Sequence, residues 1–261
     1  MRNRKLFFYE ELDSTNNEAK RLLRNTGAES DAVGPIRMAA GPSELFGSVI
    51  TARRQTKGRG RLGRSFESPG GDSVYASFIF EPPEDPAGQR ITAFAAVAVC
   101  LALERTTSYR PGIKWINDIL IEGKKICGIL AESVPGAAIL GIGVNINLKE
   151  DDLPYELREK ADSLSMDEET RTRFFNALAE EVFRCMAVAS APDTDEAAGL
   201  MDEYRLRSVV LGKAVVLEQG KEKRSAFCTG IADDGALIVS LEDGSVEELR
   251  SGEISVRLCA G

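Results

Sequence analysis

Residues Thr51 to Arg64 read TARRQTKGRGRLGR and contain six cations, three glycines and no acidic residue. The whole chain of 261 residues carries a formal net charge of -8, so this positive segment lies in an otherwise acidic protein. Glycines let the backbone approach an anion closely, and arginines bind carboxylate or phosphate oxygens through paired, charge-assisted hydrogen bonds. Strand-like runs flank the segment at Val49 to Ala52 and at Val74 to Phe80. The pattern therefore favours an anion-binding loop between two strands over a solvated arginine-glycine arm.

The composition is that of an ordinary soluble globular protein, with 43% hydrophobic and 28% charged residues. No apolar run is long enough to span a membrane, and we expect a cytoplasmic protein that does not associate with membranes. Five cysteines without a close pair argue against a disulfide scaffold or a zinc knuckle. Histidine is absent, which excludes imidazole as a general base, metal ligand or triad member. The acidic balance also argues against a dedicated nucleic-acid binder.

The order of strand and helix patterns predicts an α/β (α+β) fold with a mixed, largely antiparallel sheet covered by helices. Ile91 to Glu104 is apolar nearly all round, which indicates a buried central helix. Three apolar runs follow at Ile113 to Ile121, Lys125 to Val134 and Ala138 to Asn147. Short turn signals separate them, so they predict three consecutive strands of an antiparallel meander.

Two domains are expected. Residues 1–208 would form the larger domain, and residues 209–261 a small all-β barrel, because short strands there alternate with turn signals such as Asp233-Asp234-Gly235 and Asp243-Gly244.

Two features near the expected loop admit both a structural and a functional interpretation. Thr15 and Glu18 have the spacing of a capping box at a helix start, yet hydroxyls at a helix N-terminus also suit a small polar ligand. Phe66 follows the basic loop. Its ring could belong to the core or could stack on a purine, and the sequence leaves both open.

Six motifs occur in a fixed order along nearly the whole chain: Asp13-Ser14-Thr15-Asn16, the Gln55 to Arg64 loop, Lys114-Trp115-x-Asn117-Asp118, Lys125 to Leu130, Gly141-x-Gly143-x-Asn145 and Gly252 to Ser255. Together they resemble biotin protein ligases. The resemblance implies a class II synthetase-like catalytic domain of the biotin/lipoate ligase fold, followed by an SH3-like barrel. The catalytic pattern begins within ten residues of Met1. This start implies a monofunctional ligase without the N-terminal DNA-binding domain of many relatives, so no DNA partner is expected.

The resemblance also implies a two-step reaction. Biotin and ATP, with Mg²⁺, would give biotinyl adenylate and pyrophosphate, and a lysine of a biotin carboxyl carrier protein or carboxylase carrier domain would then take the biotinyl group. The family's roles fall on the following residues: Arg61 and Lys125 as catalytic cations; Ser14, Thr15, Asn16, Gln55, Arg59, Gly60, Arg61 and Lys125 for biotin; Arg64, Phe66, Lys114, Asn117, Asp118 and Asn145 for ATP, with Asp118 as the candidate magnesium ligand. The sequence leaves open whether the protein forms a homodimer. We expect the loop from Gly58 to Arg64 to be mobile until ligand binds.

Three positions depart from the family pattern. Phe66 replaces the usual tryptophan, Ile116 replaces proline, and Leu62 stands where arginine is common. The sequence also admits three other functions. A lipoate ligase would share the adenylation chemistry, a nucleic-acid-binding module would use the basic loop, and a biotin sensor would bind biotin without consuming ATP.

Overall fold

The computed structural model describes residues 4–26, 41–67, 72–82, 89–191, 193–250 and 254–258. The chain divides into two compact units. The first comprises residues 1–84 and 126–171, and the second residues 85–125 and 172–261. No helix among the described residues has the length and hydropathy needed to cross a membrane.

The first unit is built on a mixed sheet with one helix packed on it. Its elements are β1 (Leu6–Leu12), α1 (Thr15–Asn25), β2 (Val49–Gln55), β3 (Val74–Phe80), β6 (Lys124–Val134, whose first two residues belong to the second unit) and β7 (Ala137–Val144). The strands lie in the order β1-β2-β3-β7-β6. Only β1 and β2 are parallel, as expected for strands joined by a crossover helix, and the other three pairs are antiparallel.

Helix α1 buries its apolar face against this sheet. The buried cluster contains two residues of α1, one residue of the segment before β2, and four strand residues: Ala19, Leu23, Leu45, Ile50, Ile79, Ala137 and Ile139. Ile79 and Ile139 lie directly opposite each other in the register of β3 and β7. Ser77 and Gly141, two positions away on the same strands, also lie opposite each other and point to the same face.

The second unit contains three long helices and the small sheet. The helices are α2 (Gln89–Thr106), α3 (Glu168–Ala189, which starts in the first unit) and α4 (Asp195–Leu206), and two short strands, β4 (Gly112–Lys114) and β5 (Asp118–Ile121), follow α2. Ala93 to Cys100 are fully buried without interruption, which confirms that α2 is a core helix.

The C-terminal part of this unit is a small antiparallel sheet of five strands, in the order β11-β10-β9-β8-β12. The strands are β8 (Ala214–Gln219), β9 (Glu222–Ile231), β10 (Leu237–Leu241), β11 (Val246–Leu249) and β12 (Ile254–Leu258). Alternate residues such as Val215, Leu217 and Val239 are buried on one face, which is the pattern of a sheet with its own minor core.

One strand prediction was wrong. Ile113 to Ile121 is not a single strand, because the chain turns at Trp115 to Asn117 and β4 then pairs with β5. Lys114 lies opposite Asp118 in this tight hairpin. The turn after β5 was predicted correctly: Glu122 and Gly123 both have positive φ, 50° and 81°, as a two-residue hairpin requires.

Candidate active site

The loop between β1 and α1 is held by a single carboxylate. Asp13 accepts hydrogen bonds from the backbone N–H of Ser14 at 2.8 Å, from Asn17 at 2.9 Å and from Arg21 at 2.6 Å. The bond from Arg21 is the largest influence and lowers the pKa of Asp13 far below its ordinary value. Asp13 is therefore ionised at neutral pH and fixes the backbone of the residues that follow.

The predicted capping box does not form. Helix α1 begins at Thr15, Ser14 occupies the N-cap position, and the Ser14 side chain makes no capping hydrogen bond. Glu18 instead accepts from the Tyr9 hydroxyl at 3.0 Å and from Arg21 at 2.7 Å. The Thr15 hydroxyl is turned away from the helix end, toward the sheet.

Thr15 and Asn16 are joined to the strands by a buried chain of hydrogen bonds. Gln55 Oε1, at the end of β2, accepts from the Thr15 backbone N–H at 2.8 Å and lies 3.2 Å from the Thr15 hydroxyl. Ser77 Oγ, on β3, lies 2.8 Å from Thr15 Oγ1 and 2.5 Å from Asn16 Oδ1. Thr15, Asn16 and Ser77 are all buried. The chain links three of the predicted biotin-binding residues to a serine that the sequence analysis did not identify.

Glu132 on β6 anchors the far end of this chain. Its Oε2 accepts from Asn16 Nδ2 at 2.9 Å, and its Oε1 lies 2.8 Å from Lys20 Nζ and 3.3 Å from Arg59 Nη2. Burial alone would raise the pKa of Glu132. The hydrogen bonds from Lys20 and Asn16 and the charge of Arg59 outweigh burial, so the pKa lies below its ordinary value and Glu132 is ionised.

Two glycines of the Gly141-x-Gly143-x-Asn145 motif make room for site residues. A Cβ at Gly141 would lie 2.3 Å from Asn16 Oδ1, and a Cβ at Gly143 would lie 2.6 Å from the Phe66 ring. Both contacts are too short for any side chain. The motif therefore has a steric explanation: each glycine on β7 accepts one side chain onto the face of the sheet.

The basic segment divides into a strand portion and a loop. Arg53 and Arg54 lie within β2 and form ion pairs with Glu10 at 3.8 Å and Glu11 at 3.2 Å, on β1. These two arginines therefore form contacts between the paired strands β1 and β2. Arg59, in the loop, contacts Glu132 at 3.3 Å.

The loop itself folds back as a small hairpin. Arg59 and Ser65 form an antiparallel bridge, the Gly60 N–H donates to the Arg64 carbonyl at 2.8 Å, and the Phe66 N–H donates to the Gly58 carbonyl at 3.0 Å. Arg61 is half-buried and Arg64 is exposed. The predicted mobility of this loop stays a prediction.

Phe66 packs over Gly143, and Asn145 directly follows β7. Both therefore lie near the C-terminal end of β7, on the face of the sheet that also holds Asn16. The Phe66 ring meets Tyr75 edge to face, with centroids 6.4 Å apart, and is only partly buried. Asn145 is 6% exposed and donates from Nδ2 to the Asp162 carbonyl at 3.0 Å. Among the described residues, no hydrogen-bond donor reaches the buried Asn145 Oδ1. An acceptor in that state fits a ligand N–H.

The remaining predicted residues lie in the second unit. Lys125 Nζ is 2.6 Å from Asp118 Oδ1, and Lys114 is the cross-strand neighbour of Asp118. Asn117 lies in the turn between β4 and β5, and the indole N–H of Trp115 donates to the Gly235 carbonyl at 2.9 Å. The Trp115–Ile116 peptide is cis. This hairpin groups one carboxylate with two lysines.

The structure thus forms two groups of predicted residues, one in each unit. Thr15, Asn16, Gln55 and Arg59 are joined by hydrogen bonds in the first unit, and Lys125 contacts Asp118 in the second. The roles assigned to these residues, and to Arg61, Arg64 and Gly60, stay predictions. Gly252 and Glu253 of the last motif lie outside the described residues.

Sequence reasoning missed Ser77, Glu132 and Lys20. A signal existed for the first two, since Ser77 lies within the strand sequence VYASFIF and Glu132 directly follows the apolar run ICGILA of β6. Polar groups buried in strands require partners. Lys20 carried no signal, because a lysine on an amphipathic helix is ordinarily a solvated surface residue.

Comparison with known proteins places these observations in a family. Residues 46–148 match the biotin/lipoate A/B protein ligase family, and residues 210–257 match the biotin protein ligase C-terminal domain. Both matches are to families of biotin or lipoate protein ligases. The resemblance to biotin protein ligases expected from the motifs is thereby confirmed.

Individual relatives agree with this assignment. The chain is 36% identical over 167 residues to the bifunctional ligase/repressor BirA of Bacillus subtilis, covering 61% of this chain and 46% of that protein. The chain thus spans about half the length of that relative. It is 28% identical over 225 residues to a biotin–[acetyl-CoA-carboxylase] ligase of Paracoccus denitrificans, covering 81% of this chain and 92% of the relative.

A solved structure supports the fold as well. The biotin protein ligase from Aquifex aeolicus, in complex with biotin and ATP, superposes with a TM-score of 0.76 at 27% identity, covering 98% of this chain and 99% of that one. The predicted fold class, a mixed sheet covered by helices with a small C-terminal antiparallel sheet, is confirmed.

Proposed function

We propose that this protein is an ATP-dependent biotin–protein ligase, which activates biotin as biotinyl adenylate and transfers it to a lysine of a carrier protein. The observation that carries the proposal is the buried chain of Gln55, Thr15, Ser77 and Asn16 within the family's fold. Fixed donors and acceptors in a buried position suit a small, neutral, polar ring such as the ureido group of biotin. Relatives that are named biotin–[acetyl-CoA-carboxylase] ligases support the same substrate.

The first step joins two anions, the biotin carboxylate and the triphosphate. A carboxylate oxygen attacks the α-phosphorus, the bond from that phosphorus to the bridging oxygen breaks, and pyrophosphate leaves. Electrostatic repulsion is the main obstacle, so the catalyst needs fixed positive charge and alignment rather than a proton-transfer group. A protein without histidine can supply this. Arg61 and Lys125 are assigned to the carboxylate and the α-phosphate.

Lys125 has a built-in partner. Its contact with Asp118 holds the ammonium group in one place before substrate arrives. A positioned cation loses less freedom on binding than a mobile one, which is the advantage of preorganisation. Lys114 and Asn117 are assigned to the phosphates from the same hairpin.

The nucleotide assignments fit the described residues. The half-exposed Phe66 ring offers a surface for adenine, and the buried Asn145 Oδ1 offers an acceptor to its amino group. Among the described residues no three carboxylate or cysteine side chains cluster as a metal site. Magnesium would therefore be held largely by the nucleotide phosphates, with Asp118 as the candidate protein ligand, and it would supply charge neutralisation there.

In the second step the lysine ε-amine of the carrier attacks the acyl carbonyl of the adenylate. The new amide bond forms as the bond to AMP breaks, and the amine proton is released. A biotin carboxyl carrier protein, or the carrier domain of a carboxylase, is the proposed partner. We also propose residues 1–208 as the catalytic part of the chain and residues 209–261 as the C-terminal domain.

Biotin-dependent exchange of pyrophosphate into ATP tests the proposal directly. We expect exchange with biotin and none with lipoate, since lipoate lacks the ureido ring that the Thr15 and Gln55 groups would contact. Exchange driven by lipoate alone would favour the lipoate ligase. Biotin binding without exchange would favour a sensor. A mass increase of the carrier domain by one biotinyl group, in the presence of ATP, tests the transfer step.

A further inference from the structure

The buried hydrogen-bond chain has a definite direction, which starts at Glu132. This carboxylate is ionised and can only accept hydrogen bonds. Asn16 Nδ2 lies 2.9 Å from it and 3.5 Å from the Leu130 carbonyl, a second group that can only accept. The NH₂ group of Asn16 must therefore face Glu132 and Leu130, which leaves Oδ1 facing Ser77.

The next two links follow from counting hydrogens. Asn16 Oδ1 needs a donor, and Ser77 Oγ is 2.5 Å away, so the single Ser77 hydrogen points to Asn16. Ser77 Oγ is also 2.8 Å from Thr15 Oγ1, whereas Gln55 Oε1 is 3.2 Å from that oxygen. Because the Ser77 hydrogen is already used, the Thr15 hydrogen points to Ser77, the nearer acceptor.

The outcome is that the Thr15 oxygen is left as an acceptor. We propose that Glu132, acting through Asn16 and Ser77, sets the Thr15 hydroxyl to accept a hydrogen bond from a ligand N–H, and that this makes Glu132 a positioning residue for substrate specificity. The inference rests on the proposed function. The inference extends the proposed function by stating which chemical group Thr15 selects. That group is a ring N–H, as in a ureido group, and a ring oxygen at the same position would be disfavoured.

Replacing Glu132 with glutamine should reverse the direction of the hydrogen bonds between residue 132 and Thr15. Lys20 and Arg59 both contact Oε1 of Glu132, whereas Asn16 contacts Oε2. In the glutamine variant the oxygen would stay with the two cations, and the NH₂ group would face Asn16. Asn16 would then turn its oxygen to position 132 and its NH₂ group to Ser77, giving up the long 3.5 Å contact of Nδ2 with the Leu130 carbonyl. Ser77 would donate to Thr15, and Thr15 would become a donor.

The test compares biotin with its two cyclic carbamate analogues, in each of which a ring oxygen replaces one ureido N–H. Binding is measured by calorimetry without ATP, for the full-length wild type and for Glu132→Gln. We expect the wild type to bind one of the carbamates roughly tenfold to a hundredfold more weakly than biotin, because two acceptors would face each other in a buried site. In Glu132→Gln we expect that preference to fall to about threefold or less, since Thr15 would then donate.

A second variant and a control make the test decisive. Ser77→Ala removes the acceptor that draws the Thr15 hydrogen away, so it should weaken the same preference even if Glu132→Gln folds poorly. Ser73→Ala also removes a buried hydroxyl, one bonded to Ile146 at 3.1 Å and outside the chain. It should keep the wild-type preference.

The outcomes separate the two proposals. Suppose that folded Glu132→Gln or Ser77→Ala keeps the wild-type preference for biotin over the carbamate, and that the affinities for biotin and for both carbamates are lowered by the same factor. This result would overturn the role of Glu132 and leave the proposed function standing. Failure of the wild type to bind biotin at all would overturn both.

Discussion

Replacing Gly141 with alanine should break the buried hydrogen-bond chain of Gln55, Thr15, Ser77, Asn16 and Glu132 at its centre. The new methyl group would lie 2.3 Å from Asn16 Oδ1 and 2.9 Å from Asn16 Cγ. Ordinary contacts of this kind begin near ~3.5 Å, so the Asn16 amide must move by about 1 Å. Asn16 is 3% exposed and has no route to solvent for a displaced amide.

The magnitude follows from two contributions. Overpacking of a buried site costs about 1–3 kcal/mol. Loss of the hydrogen bond from Asn16 to the ionised Glu132 costs about 1.5–3 kcal/mol. Because the two are coupled we expect a total of about 3 kcal/mol, or a fall in Tm of roughly 6–12 °C for a protein of this size. Biotin affinity should fall as well, since Thr15 loses its orientation.

Thermal unfolding and calorimetric titration with biotin provide the assay. Gly199→Ala is the matched control: Gly199 is exposed on α4, nothing beyond its own helix lies within 4 Å of the place a methyl group would occupy, and alanine there should stabilise the helix by about 0.5–1 kcal/mol. In an Asn16→Ala background the clash is absent, so Gly141→Ala should cost little. Additive effects of the two substitutions, or a Gly141→Ala protein as stable as the control, would refute the steric argument.

Four further predictions follow from the site. Arg61→Ala should slow biotin-dependent pyrophosphate exchange about a hundredfold, the cost of losing one preorganised donor, and an unchanged rate would contradict its role. Gly143→Ala puts a methyl group 2.6 Å from the Phe66 ring, so KM for ATP should rise several-fold while KM for biotin changes little; the reverse pattern would contradict the nucleotide assignment. The pKa of Asp13 is lowered, chiefly by its hydrogen bond from Arg21, so its carboxylate stabilises the fold above pH ~4 and this contribution is lost as pH falls further. Asp13→Asn should therefore have a lower Tm than wild type at pH 7, with a difference that shrinks below pH ~4, whereas a constant difference would argue against the ion pair. Biotin should protect the loop from Gly58 to Arg64 against trypsin, and equal cleavage with and without biotin would show that the loop does not order on binding.

Much of the fold could be predicted from local patterns. The strand at Val74 to Phe80 and the core helix around Ile91 to Glu104 were identified from periodicity and apolar content, and the structure confirms both. The break in Ile113 to Ile121 could not be predicted in this way. Most residues there are apolar and suit a strand, and only the polar pair Asn117-Asp118 lies near the turn at which β4 folds back onto β5.

In the candidate site, too, one part could be read from the sequence and another part required the tertiary structure. The amino-acid sequence by itself determined which side chains are available: hydroxyls and an amide at Ser14 to Asn16, cations and glycines in the basic loop, and no histidine, so the chemistry must rely on charge and position. Only the tertiary structure decided which partner each polar group meets. Asn16 and Glu132 are 116 residues apart and Thr15 and Ser77 are 62 apart. Hydrogen-bond direction depends on atoms a few ångströms apart, and only the packing of α1 on the sheet, together with the order of its strands, brings such distant residues together.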